Sequence, residues 1–112
     1  MSCEEIDLYG AATNPIRVGF GDTLPLIMDL VDANGDTILT NTAVLKLHIY
    51  KYNGVEVTSL AGTVDMVDET VTFTFTTPFW AKLSASQDYD YKMILTDGAL
   101  VKTVLAAKFI IC

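Results

Sequence analysis

In Thr70-Val71-Thr72-Phe73-Thr74-Phe75-Thr76 an apolar side chain stands at every second position and a threonine at each of the others. A two-residue period sends alternate side chains to opposite faces of an extended strand. Threonine sits well on the solvent side of a sheet. The stretch therefore predicts a strand with Val71, Phe73 and Phe75 turned inward.

The same period recurs along the chain. Leu24, Leu26, Met28 and Leu30 share a face in one run, and Pro25 marks its start as edge-like. Between Ala43 and Tyr52, Leu45, Leu47 and Ile49 oppose Lys46, His48 and Tyr50. From Asp88 to Asp97, Tyr89, Tyr91, Met93 and Leu95 line one side, and Val101, Leu105, Ala107, Phe109 and Ile111 do so in the last run. Turn residues part these runs at intervals of about ten, the spacing of a sandwich or barrel. With edge pieces around Arg17 and Val55 to Val57, the count is seven or eight mostly antiparallel strands. The expected fold is an all-β immunoglobulin-like β-sandwich over residues 15–112.

Two segments depart from alternation. Pro78-Phe79-Trp80-Ala81-Lys82-Leu83 suits a single helical turn opened by proline, with Trp80 plugging one end of the core. Residues 1–14 show no sustained period and run into Asn14-Pro15; they read as an N-terminal arm in which Ile6, Leu8 and Tyr9 have no place in the strand pattern.

The chain has 112 residues, 51% of them hydrophobic, enough for one domain with a real core. No apolar run approaches the ~20 residues of a membrane span. Fourteen acids against seven bases give a formal charge of -7, which opposes a phosphate backbone. Neither nucleic acid nor membrane is an expected partner. Met1-Ser2-Cys3-Glu4-Glu5 lacks the basic and apolar regions of a secretory signal, so synthesis and residence in a cytosol is the expectation. Cys3 and Cys112 stand at opposite ends with no metal or redox spacing.

Asp32-Ala33-Asn34-Gly35-Asp36 places three side-chain oxygens at alternate positions, as a calcium loop does. Such a loop also needs glycine at its sixth position and glutamate at its twelfth; Thr37 and Ala43 stand there. A hairpin turn with Asn34 and Gly35 at positive φ is the expectation, as is a tight turn at Asn53-Gly54. No metal and no cofactor is implied. Asp65, Asp68, Glu69, Asp88 and Asp90 fall at strand ends and turns rather than as a catalytic carboxylate pair. His48 shares the outward face of Lys46 and Tyr50 with no nucleophile in sight. Tyr91 reads as packing, and a tyrosine of Asp88-Tyr89-Asp90-Tyr91 is placed to bond back to the preceding loop as a tyrosine corner. Tyr50 and Tyr52 are the tyrosines expected to meet a partner.

Three stretches in order carry a resemblance: Arg17-Val18-Gly19-Phe20-Gly21-Asp22-Thr23-Leu24-Pro25-Leu26, then Asp32 to Asp36, then Leu45-Lys46-Leu47-His48-Ile49-Tyr50-Lys51 before Asn53-Gly54. They resemble the immunoglobulin-like domain of tailed-phage virion proteins, including the N-terminal domain of baseplate upper proteins. Leu39-Thr40-Asn41-Thr42-Ala43 departs from the stretch that family usually carries before its third strand. The resemblance implies a non-enzymatic structural protein of the virion, docking onto major capsid, fibre or tail proteins, or onto itself, as capsid decoration, fibre anchor or tail and baseplate adaptor. Ile6, Leu8, Tyr9, Tyr50 and Tyr52 are then the candidate partner-binding residues. A different class of function, a host-surface module reading saccharide or protein, would use Tyr50, Tyr52, Asn53 and Glu56.

Overall fold

The computed structural model describes residues 15–23, 25–85 and 87–111. Eight strands run in chain order: β1 Ile16–Val18, β2 Leu26–Met28, β3 Val44–Lys51, β4 Glu56–Ala61, β5 Thr63–Asp65, β6 Thr70–Phe73, β7 Tyr89–Asp97 and β8 Leu100–Ile111. One helical turn, α1 Thr77–Trp80, lies between β6 and β7. The strands form a five-stranded sheet in the order β1-β8-β7-β3-β4 and a three-stranded sheet in the order β2-β6-β5. Every pairing is antiparallel except that of β1 with β8, the first and last strands. The fold is an all-β sandwich of eight strands.

The core forms where the period-two reading places it. Leu45, Leu47 and Ile49 of β3 pair across to Leu95, Met93 and Tyr91 of β7, and all six are buried. Val71, Phe73 and Phe75 meet them from the small sheet's side and are buried too. Leu30 is buried, and Leu26 and Met28 pack against the core half-buried. Among the described residues of this run only Leu26–Met28 form a named strand, flanked by Pro25, which has no N–H to give a ladder; Leu24 lies outside the described residues.

Gly62 carries the chain from one sheet to the other. Its N–H donates to the Leu45 carbonyl at 2.8 Å, and a Cβ there would stand 2.6 Å from Val71 Cγ2 and 2.8 Å from Phe73 Cε1. Only glycine lets β4 turn into β5 this close to the core. β5 itself, three residues long, is not foreshadowed by the sequence reading.

One expectation fails inside β8. Val101 is 67% exposed, not part of the inner face. The register between β7 and β8 shifts between Met93 and Ile94: Met93 faces Leu105, but Ile94 faces Thr103. Val104 is the extra residue of a β-bulge, and one extra residue reverses every side chain beyond it. Leu105, Ala107, Phe109 and Ile111 keep the inward face, Phe109 fully buried, while Val101 faces Thr96 on the outer side.

α1 is the expected helical turn. Thr76 caps it by accepting from the Phe79 N–H, and Pro78 sits in its first turn. Trp80 is buried at the edge of an aromatic cluster with Phe75 and Phe79, their centroids 5.2 to 5.7 Å apart.

Candidate functional site

The two Asn-Gly turns are built alike. In the first, Gly35 N–H donates to the Asp32 carbonyl and Asp32 N–H to the Asp36 carbonyl; in the second, Gly54 donates to Lys51 and Lys51 to Val55. Each glycine has φ of +86°, and Glu69 is the one non-glycine at positive φ among the described residues. Asn34 therefore does not adopt the left-handed conformation expected of it. These are three-residue loops in which a type I turn ends in a glycine bulge, and only the glycine needs positive φ.

Asp32 Oδ1 accepts the N–H groups of Asn34 at 2.8 Å and Asp36 at 3.1 Å. Its carboxylate is occupied in holding the turn. Among the described residues no group of three His, Cys, Asp or Glu is arranged to hold a metal ion. The other acids are divided between the sheets. Asp65 Oδ1 holds the β5–β6 turn through the Val67 N–H at 2.9 Å, with Asp68 and Glu69 beside it, while Asp88 and Asp90 belong to the start of β7.

Tyr89 makes the loop contact expected of a tyrosine corner. Its hydroxyl accepts the Ser84 N–H at 2.8 Å and donates toward Gln87 Oε1 at 3.4 Å. Tyr91 is buried, and burial pushes its phenol up to about 12.

Arg17, Lys46, Lys92 and Lys108 lie at outward positions of the five-stranded sheet, while Lys51 and Lys102 pair with the inward residues Tyr89 and Leu95 near strand ends. Across this face Tyr50 faces Asp90, which faces Lys108; one pair further on, His48 faces Lys92, which faces Ala106. Lys108 Nζ lies 2.9 Å from Asp90 Oδ1, a bond that raises the lysine pKa. His48 Nδ1 and Glu56 Oε1 are 3.1 Å apart. Lys92 Nζ stands 5.4 Å from the Tyr50 ring centroid. Burial, then the Glu56 charge, pushes the Tyr50 phenol up. Tyr50, Asp90, Lys92 and Lys108, with Gly54, Ala106 and Ala107, line an open groove of about 440 Å³.

Beside this groove β8 runs well past its described neighbour β1. β8 has 12 residues, and β1 pairs with three of them, Phe109, Ile110 and Ile111. Along the other nine, Leu100 to Lys108, no described residue pairs on the side away from β7. Alternate N–H and C=O groups on that side are a template for another strand. Leu100 and Val101, 55% and 67% exposed, stand at its start.

Of the five residues singled out from sequence, Tyr50 and Tyr52 sit together on the β3–β4 hairpin, Tyr50 half-buried in the groove wall and Tyr52 87% exposed at the tip. Ile6, Leu8 and Tyr9, like Cys3 and Cys112, lie outside the described residues. Sequence reasoning missed Lys92, Ala106 and Lys108, which share a site only through the register of β7 with β8. Their outward positions in alternating strands were the available signal.

Comparison with family models, curated proteins and solved structures finds no match in any of the three.

Proposed function

We propose that this chain is a non-enzymatic structural subunit of a tailed-phage virion that docks onto the particle as capsid decoration, fibre anchor or tail and baseplate adaptor. The observation that carries docking is the stretch of β8 from Leu100 to Lys108, which no described residue pairs on the side away from β7. Strand addition to such an edge obtains affinity from main-chain hydrogen bonds and specificity from alternate side chains. The virion setting comes from the strand and turn signatures between Arg17 and Gly54, and the two-sheet sandwich is compatible with it.

A host-surface saccharide module is the second reading, favoured by the exposure of Tyr52 beside Asn53 and Glu56. Against it, Lys92 stands over the Tyr50 ring, the face on which a sugar would stack. Mass spectrometry of washed, purified particles tests the first reading, which expects the chain at a fixed, repeated copy number. Its absence from particles, together with binding on a glycan array, would replace assembly by host recognition.

A further inference from the structure

The two Asn-Gly turns share a main-chain design and differ in one hydrogen bond, and that bond bears on the chemistry of the asparagine. An asparagine followed by glycine loses its side-chain amide by a spontaneous route. The glycine nitrogen, giving its proton to a solvent base, forms a bond to the asparagine Cγ, and ammonia leaves. Water then opens the resulting succinimide to aspartate or isoaspartate. Glycine suits the attack because no Cβ shields its nitrogen. We propose that in the folded chain Asn53 is a site of this modification, reacting several-fold faster than Asn34.

In the β3–β4 turn the N–H of Val55, two residues beyond the asparagine, donates to Asn53 Oδ1 at 3.2 Å. The ring closed by this bond passes through Gly54, so the carboxamide is folded toward the Gly54 nitrogen, and a held approach of that kind speeds an intramolecular attack. Oδ1 is also the atom that takes up negative charge as the nitrogen attacks. A backbone donor already aimed at it stabilises that charge. Glu56, the acid that follows, is turned aside to His48, its Oε1 3.1 Å from Nδ1.

The other turn sends the equivalent N–H elsewhere. Asp36 N–H donates to Asp32 Oδ1 at 3.1 Å, and the main-chain N–H of Asn34 goes to the same oxygen at 2.8 Å. The donor that would hold the Asn34 carboxamide is thus engaged, and the Asp32 carboxylate opposes a second negative charge developing beside it. The remaining features are common to both turns and do not separate them. Each asparagine is exposed. Each glycine N–H bonds the carbonyl three residues back, at 3.0 Å for Gly35 and 2.9 Å for Gly54, and each glycine has φ of +86° with open space where a Cβ would stand.

The product puts a negative charge beside Tyr52, which is 87% exposed at the same tip. Isoaspartate also puts an extra carbon into the main chain of a three-residue loop. The exposed tip of the β3–β4 hairpin therefore changes with the age of the molecule, whatever partner it meets.

The test uses the full wild-type chain, one portion kept folded in neutral buffer and another kept unfolded in urea at the same pH. Samples taken over weeks are digested under mildly acidic conditions, and mass spectrometry follows the Asn34 and Asn53 peptides separately, with fragmentation that distinguishes isoaspartate from aspartate. In the folded chain the Asn53 peptide should convert several-fold faster than the Asn34 peptide. In urea the two rates should draw together, because the hydrogen bonds that distinguish the turns are gone. No conversion at Asn53 in the folded chain, a rate at Asn34 that equals or exceeds it, or the same preference persisting in urea would each overturn the proposal.

Discussion

Trp80 donates its indole N–H to the Asp22 carbonyl oxygen at 2.8 Å, joining two residues 58 positions apart. Asp22 lies on the loop between β1, in the large sheet, and β2, in the small one. The bond fixes α1 to the segment where the chain changes sheets, and Phe20 covers the indole with ring centroids 5.3 Å apart. The hydrophobic plug expected of Trp80 is thus also a polar tie.

Replacing Trp80 by Phe keeps an aromatic ring and removes the tie. The loss should be about 1–2 kcal/mol, the scale of a net hydrogen bond with its acceptor left behind; Trp80→Ala should cost about 3–5 kcal/mol. Urea denaturation measures both. A Phe variant as stable as wild type would remove the hydrogen bond from the account.

The bulge at Val104 predicts opposite consequences for two residues of one strand. Val101→Thr should change stability by no more than about 0.5 kcal/mol, as at an exposed site, while Phe109→Ala should cost about 3–5 kcal/mol. A Val101→Thr cost above 1 kcal/mol would restore the unbroken alternation and dismiss the bulge.

Gly62→Ala should destabilise by about 1–3 kcal/mol through overpacking against Val71 and Phe73. Combining it with Val71→Ala should cost less than the sum of the two single changes, because the shortened side chain vacates the space the new methyl needs. Strict additivity would show that the backbone, not the side-chain contact, resists the substitution.

Burial holds the Tyr91 phenol neutral up to about 12, against 10 for an exposed tyrosine. Between these values the unfolded chain gives up its proton while the folded one keeps it. This contribution to stability is present below pH 10 and declines as pH rises toward 12. Tyr91→Phe should flatten that decline in thermal melts taken from pH 9 to 12. An unchanged slope would assign the alkaline loss to other groups.

Legibility in the sequence followed the length of the alternating run. β3 and β7, eight and nine residues long, have the faces expected of them, and so does the shorter β6. Thr63-Val64-Asp65 is too short to show a period, and its entry at Gly62 bears no turn signal because the chain changes sheets there without reversing. The bulge escaped because Val101 to Ile111 offers apolar residues in both phases, so a slipped register looks continuous. The turns were legible in place but not in type, since Asn-Gly serves two-residue and three-residue loops alike. Tyr50 and Tyr52 could be placed outward from β3 alone. The stretch of β8 that no described residue pairs could not, because it depends on the tertiary pairing of β1 with β8.

Hydrogen–deuterium exchange along β8, read in the free chain and in the chain held within purified particles, tests most directly that docking uses strand addition. In free chain kept dilute, below any self-association, the Leu100–Lys108 amides that face away from β7 should exchange quickly, while those paired with β7 are protected. In the particle the outward amides should become protected as well. Equal exchange of these amides in both states would contradict docking through this edge.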